Sequence, residues 1–246
     1  MRQSNGYVIL FTTIMTVVVG GLLSFTSQFL APAQKKSIEL DTKTQILGAV
    51  QELKEGDDIL AMYKDRINSL TVDFEGNVVT TNAKGGAMVA EEVNILKNYK
   101  KAPKDRVYPV FMYMNEQDTT KIDAYILPLY GAGLWDKIWG FAAMDNNLET
   151  IVGVAFDHKA ETPGLGARIK DADVRDRYVG KKIYNESGEL MSVSMVKGEG
   201  NEGLTDHQVD GMSGATLTGK GVNAMMMQYL ESYQAYFKKV KAGAAI

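Results

Sequence analysis

The run Asp210-Gly211-Met212-Ser213-Gly214-Ala215-Thr216-Leu217-Thr218 joins the strand-forming part of this chain to one long amphipathic segment. From Lys220 to Lys241, the apolar residues Val222, Met226, Leu230, Tyr233, Phe237 and Val240 recur at steps of three and four, which predicts a helix with one buried face. Thr218 is its expected N-cap. The first turn of a helix leaves backbone N–H groups unpaired and carries the positive end of the helix dipole, so a hydroxyl placed there can hold an esterified phosphate. Gly214 and Ala215 keep the approach open. Taken alone, the same run also reads as a Ser/Thr/Gly helix-capping loop, because short motifs recur by chance.

Upstream, strand signals dominate. Leu70–Phe74 and Val78–Thr80 flank Glu75-Gly76-Asn77, a hairpin turn, and Tyr108–Met114 and Ala124–Tyr130 follow as strands, the second ending in a glycine-rich turn. A helical turn is expected before the next strand, Ile151–Phe156. Leu190–Val196 alternates Met191, Val193 and Met195 with Ser192 and Ser194, a strand with one buried face. Strands outnumber helices without strict alternation, which predicts an α+β fold and not a doubly wound parallel sheet.

Nearer the start, Tyr7 to Leu30 holds no charged residue and spans about one bilayer at roughly 1.5 Å per helical residue. Ala31-Pro32-Ala33 offers the small-residue spacing of a signal-peptide cleavage site. The apolar run is longer than a signal-peptide core, however, and only Arg2 precedes it, so a retained anchor is the expectation. A connector over Ala31–Asp41 leads to a helix over Thr42–Tyr63, with Ile46, Leu47, Val50, Leu53 and Ile59 on one side. The expected division is an anchor over 1–33, a connector and stalk helix over 34–65, and one folded domain over 66–246.

Composition narrows the chemistry. Lys+Arg number 27 against 30 Asp+Glu, a net charge of -3, with no basic block to neutralise a nucleic-acid backbone, so nucleic acid is not an expected partner. Cysteine is absent, which removes disulfides, thiolate nucleophiles and cysteine-ligated metals and clusters. His158 and His207 are the two histidines, set far apart, and no metal site is expected from them. Redox chemistry in this chain requires a borrowed cofactor.

Other constellations read structurally. Gly198-Glu199-Gly200-Asn201-Glu202-Gly203 spells G-x-G-x-x-G, but its two glutamates oppose a pyrophosphate and Leu204–Val209 does not open a helix for it to dock on. A flexible connection is expected. Ser213, His207 and Asp210 lack a nucleophile elbow and are crowded in sequence, so no catalytic triad and no catalytic residue is assigned. Met225, Met226 and Met227 spread around the predicted helix, placing one or two in the core. Lys97, Lys100, Lys101, Lys104 and Arg106 read as a solvated helix end and loop, with an acidic partner surface as the alternative.

Three motifs together resemble a known family. Asp210-x-x-Ser213-Gly214-Ala215-Thr216 is similar to the flavinylation motif of proteins that carry FMN covalently. Glu161-Thr162-Pro163-Gly164-Leu165-Gly166 looks like the loop this family lays against the flavin. Leu129-Tyr130-Gly131-Ala132-Gly133-Leu134-Trp135, with Trp139-Gly140-Phe141, resembles the NqrC family of sodium-translocating NADH:quinone oxidoreductases more than its cousin in the RNF complex. The resemblance implies one FMN-binding domain with a mainly antiparallel sheet and flanking helices behind a single transmembrane helix.

It further implies FMN joined by a phosphoester to Thr216, installed from FAD by a separate flavin transferase, with Trp135, Glu161, Thr162, Gly164, Leu165, Lys197, Ser213, Gly214, Ala215, Leu217 and Thr218 around it. Lys197 would supply a cation near the flavin or its phosphate. The implied role is electron relay between subunits of a bacterial inner-membrane respiratory complex, without direct NADH oxidation, and with the soluble domain in the periplasm. The lipid bilayer and the other membrane subunits would be its partners. Lys35 and Lys36 outnumber Arg2, so a positive-inside count points that domain to the cytoplasm instead. An RNF-type electron-transport protein, or an anchored scaffold without a cofactor, are the alternative readings.

Overall fold

The computed structural model describes residues 4–243. Arg2, the charge that precedes the apolar run, lies outside them. The chain divides into two units at Thr42 and Lys43. In the first unit, helix α1 (Asn5–Gly48) leaves its large apolar residues exposed from Tyr7 to Leu30. Thr12, Thr16 and Thr26 turn their hydroxyls back onto the carbonyls of Val8, Thr12 and Leu22 at 2.8–2.9 Å, so these polar groups are satisfied inside the helix, as a hydrocarbon environment requires.

The expected break at Ala31–Asp41 does not occur, because α1 continues through Pro32. One proline removes a single N–H from the ladder and costs about 3 kcal/mol, and the flanking Ala, Gln and Lys are good helix formers that offset part of it. The helix expected over Thr42–Tyr63 is likewise two pieces. Ile46 and Leu47 belong to the last turn of α1, and α2 (Ile59–Arg66) starts afresh at Asp58, whose carboxylate accepts from Ala61 N–H at 3.1 Å.

The second unit is an α+β domain built on a five-stranded antiparallel meander, with β1 (Ile67–Val72), β2 (Tyr108–Met114), β3 (Ile122–Ala132), β4 (Lys137–Asp145) and β5 (Ile151–His158) in spatial order. Alternate residues serve two cores. Val110, Tyr125, Leu127, Ala142, Met144, Val154 and Phe156 face the apolar side of α5 (Thr216–Lys241), while Phe111, Ile126, Phe141, Ala143 and Ala155 pack with Ile46, Leu47 and Tyr63 on the other face. With both faces covered, the strands read as near-continuous apolar runs.

Short helices α3 (Ile95–Tyr99) and α4 (Ala172–Arg175) and a parallel two-stranded ladder, β6 (Ser194–Met195) with β7 (Gln208–Val209), complete the domain. The hairpin turn at Glu75-Gly76-Asn77 closes as expected, with Asp73 N–H donating to the Asn77 carbonyl at 2.9 Å and Val79 N–H to the Thr71 carbonyl at 2.8 Å, although its second arm is reduced to the Val72–Val78 bridge. Two other local expectations fail. β4 stands where a helical turn was expected. The strand over Leu190–Val196 shrinks to two residues because Ser192 takes a left-handed φ of 58°, which buries Ser192 and leaves Met191 44 % exposed. Arg106 is also buried, its Nε and Nη2 held by the carbonyls of Lys101 and Tyr99, whereas the four neighbouring lysines are exposed.

α5 lies close on β3. A Cβ on Gly221 would strike the Ala132 carbonyl, and one on Gly131 would strike Met225, so two glycines bring the start of the helix against the end of the strand. That contact sets where the first turn of α5 sits.

Candidate functional site

Three segments meet at the N-terminus of α5: the β3–β4 turn, the loop after β5, and the Ser213–Thr218 run. The turn is closed by Gly133 N–H donating to the Asp136 carbonyl at 2.8 Å. The loop folds on Thr162, whose carbonyl accepts from Leu165 and Ala167 at 3.1 Å each. Glu161 ties all three together. Its carboxylate is 4 % exposed, and it accepts from the Thr218 hydroxyl at 2.6 Å through Oε2 and from the Trp135 backbone N–H at 2.9 Å through Oε1. Its own N–H donates to His158 Nδ1 at 3.2 Å, which gives that histidine a structural role. A Cβ on Gly166 would collide with both Thr218 Oγ1 and Glu161 Oε2, so this glycine makes room for the bond.

α5 begins three residues earlier than the expected cap at Thr218 would place it. Ala215 is the N-cap, without a side-chain bond, and Thr216 is the first helical residue. Thr218 is therefore not the cap. It sits inside the first turn, 1 % exposed, spending its hydroxyl on Glu161. Thr216 is half-buried and its hydroxyl is unengaged among the described residues. The N–H groups of Thr216, Leu217 and Thr218 likewise donate to no described residue, and no acidic side chain lies in the first turn. Three open donors on a 26-residue helix form a seat for an anion beside the Thr216 hydroxyl.

The rim of this seat is apolar and exposed. Trp135 is 68 % exposed with its indole N–H pinned to Thr162 Oγ1 at 3.1 Å, and Leu165, Leu217 and Leu134 are exposed as well. Gly214 adopts a φ of 73°, and a Cβ there would press on Leu165 Cδ2, so the Ser213–Thr216 run and the Glu161–Gly166 loop touch. The aromatic and leucine surfaces suit a flat ring system, and the open donors suit its phosphate.

Of the residues named from sequence, Trp135, Glu161, Thr162, Leu165, Gly214 and Thr218 are linked to one another through these contacts. Ser213 and Lys197 stand on a neighbouring loop system: Ser213 N–H donates to Glu199 Oε2 at 3.2 Å, and the Lys197 carbonyl accepts from Asn201 Nδ2 at 3.2 Å. Sequence reasoning missed the residues around Glu199. Instead of opposing an anion, Glu199 is engaged by Arg168 and Arg177 at 2.8–3.0 Å, and these guanidinium bonds, with the Ser213 N–H, hold its carboxyl far below the usual carboxylate range. Asp210 loses some solvation, which opposes ionisation. The Asn201 side chain and the N–H groups of Gly200, Asn201 and Gly211 outweigh that and lower its pKa to about 2.

At the far end of α5, a cavity of about 630 Å³ is lined by Glu149, Lys182, His207, Phe237 and Lys241, and no motif residue lines it. Met225 and Met226 are buried and Met227 is exposed.

Residues 133–231 match the model of the FMN-binding domain family. Among characterised relatives, the NqrC component of the Na(+)-translocating NADH-quinone reductase of Pseudomonas aeruginosa is 29% identical over 99% of both chains. The NqrC component of the Haemophilus ducreyi reductase is 30% identical, covering 94% of this chain and 92% of its own. The crystal structure of the Parabacteroides distasonis counterpart superposes with a TM-score of 0.71 at 32% identity, covering 85% of this chain and 96% of that one.

Proposed function

This chain belongs to the NqrC family of Na(+)-translocating NADH-quinone reductase components, and from that membership we infer how it carries its cofactor. It is an FMN-carrying electron-transfer subunit of that membrane complex, anchored by α1 and assembled with the other subunits. Bound FMN supplies reversible electron uptake and release, chemistry that no side chain of this cysteine-free chain offers.

The FMN is held by a phosphoester to Thr216. The observation that carries this reading is the Thr216 hydroxyl at the first position of α5, beside three open backbone donors and below the exposed Trp135, Leu165 and Leu217. In the attachment reaction, catalysed by a flavin transferase, the Thr216 oxygen bonds to the FMN-side phosphorus of FAD. The bond linking the two phosphates breaks, AMP leaves, and the hydroxyl proton passes to a base of the transferase. With FMN attached, the open N–H groups would stabilise the phosphodiester charge, and the exposed Trp135 and Leu165 would offer apolar surface to the ring. Glu161 fixes the spacing of these parts through Thr218 and the Trp135 backbone. Thr216 is an anchor and takes no part in electron transfer.

Thr216→Ala tests the assignment. The variant, co-expressed with the transferase, should fold yet give no flavin fluorescence in a denaturing gel, while Thr216→Ser retains part of the signal. Wild-type fluorescence from the alanine variant would move the attachment elsewhere.

A further inference from the structure

Behind the attachment run lies a charged network that no flavin contact explains. Arg168 follows the Glu161–Gly166 loop directly, in a 3₁₀ turn at Gly166–Lys170. Its Nη2 lies 2.8 Å from Glu199 Oε1 and 2.9 Å from Asp173 Oδ2, and its Nη1 lies 3.0 Å from Glu199 Oε2. Arg177 completes the frame. Its Nη2 donates to Glu199 Oε1 and to Asp173 Oδ2 at 3.0 Å, and its Nη1 donates to the carbonyl of Gly211 at 2.5 Å and that of Asp210 at 3.3 Å. Glu199 Oε2 also accepts the Ser213 N–H. Arg177 and Glu199 thus grip the backbone at Asp210, Gly211 and Ser213, the residues that lead into Gly214-Ala215-Thr216, while Arg168 and Asp173 hold that pair in place.

The first part of the gripped run is also fixed by the Asp210 carboxylate and by buried Met212, whereas Ser213 and Gly214 beyond it are exposed. Gly211 is packed against the carbonyls of Val196 and Gly198, and Gly214 holds a left-handed φ that a free glycine leaves readily. The two arginine side chains, at 24% and 18% exposure, each make several charge-assisted bonds at once, so they form a network and not a single surface pair. The planar fork of Arg177 is what allows one side chain to reach a carboxylate and a pair of carbonyls together.

We propose that Glu199, Arg168 and Arg177 are positioning residues for covalent flavin attachment: their clamp holds the Asp210–Ser213 backbone so that the Thr216 hydroxyl is presented to the flavin transferase in one conformation. The proposal rests on Thr216 as the attachment point. It assigns to the G-x-G-x-x-G-like loop the task of carrying Glu199 to the clamp. Because the clamp acts on the acceptor protein, its loss lowers the rate of transfer and leaves the affinity of the transferase for FAD unchanged.

The test uses the full-length chain in detergent, with transferase and FAD, and reads initial rates as covalent flavin fluorescence. Glu199→Gln keeps the shape and removes the charge that both arginines need. It should lower the maximal rate about ten-fold with the KM for FAD unaltered. Arg177→Lys keeps the charge and loses the fork, and it should show a loss of the same kind. Thermal unfolding of each flavin-free variant, measured alongside, must leave the protein fully folded at the assay temperature, so that the rate does not report a lost fold. A folded Glu199→Gln protein that accepts flavin at the wild-type rate, or faster, overturns the clamp. The two readings separate cleanly: flavin on Thr216→Ala sinks the attachment site itself, whereas a wild-type rate for Glu199→Gln beside a blank Thr216→Ala sinks only the clamp.

Discussion

At Thr218 the hydroxyl is 1 % exposed and donates at 2.6 Å to a carboxylate that is itself 4 % exposed, so removing it strands Glu161 Oε2 inside the protein. Leaving a buried charged acceptor unpaired costs about 1–3 kcal/mol, whereas a half-exposed, unengaged hydroxyl costs within about 0.5 kcal/mol when removed. Thr218→Val is therefore predicted to lower the urea midpoint of the flavin-free chain clearly, and Thr216→Val to leave it nearly unchanged. Equal midpoints for the two variants would mean that the Thr218–Glu161 bond contributes nothing. The same geometry makes Thr218 unavailable as a substitute acceptor when Thr216 is replaced. From sequence, it was legible that a helix follows the Ser213–Thr218 run, since the apolar period behind it is a local feature. The bracing by Glu161 was not, because its partners Trp135 and Thr218 stand 26 and 57 residues away. Glu199 was read as an obstacle to anions for the same reason, its two arginines being distant in sequence.

Among the elements, α5 was the most legible: Val222, Met226, Leu230, Tyr233 and Phe237 are all buried, and Val240 partly so. Its start was misplaced because a Thr two residues into the helix mimics a cap, and only the bond to Glu161 reveals otherwise. β4 was illegible for a different reason. Gly140, Ala142 and Ala143 carry little strand propensity, and the strand exists because β3 and β5 pair with it on both sides. Two opposing effects meet at Gly221. Alanine in a helix gains about 1 kcal/mol over glycine, but a Cβ here collides with the Ala132 carbonyl, and such overpacking costs about 1–3 kcal/mol. Gly221→Ala is thus predicted to destabilise the domain, read as a lower denaturation midpoint. A higher midpoint would show that α5 and β3 have room to spare.

For the whole molecule, the α+β class followed from strands that outnumber helices. The unbroken α1 did not follow, because Ala31-Pro32-Ala33 carries the signals of a boundary and a helix passes through them. We propose that the α+β domain lies in the periplasm, where the transferase for this motif is expected, although Lys35 and Lys36 argue by charge for the cytoplasm. Protease added to intact spheroplasts should digest the domain, and complete protection until lysis would reverse the orientation. The central claim is that this chain carries FMN on Thr216, and tandem mass spectrometry of proteolytic peptides from the full chain, purified from cells that contain the transferase, tests it most directly. The account predicts that the peptide spanning Ser213–Lys220 gains the mass of FMN less one water, with fragment ions placing it on Thr216. FMN that is released on denaturation, or that maps to any other residue, would contradict it.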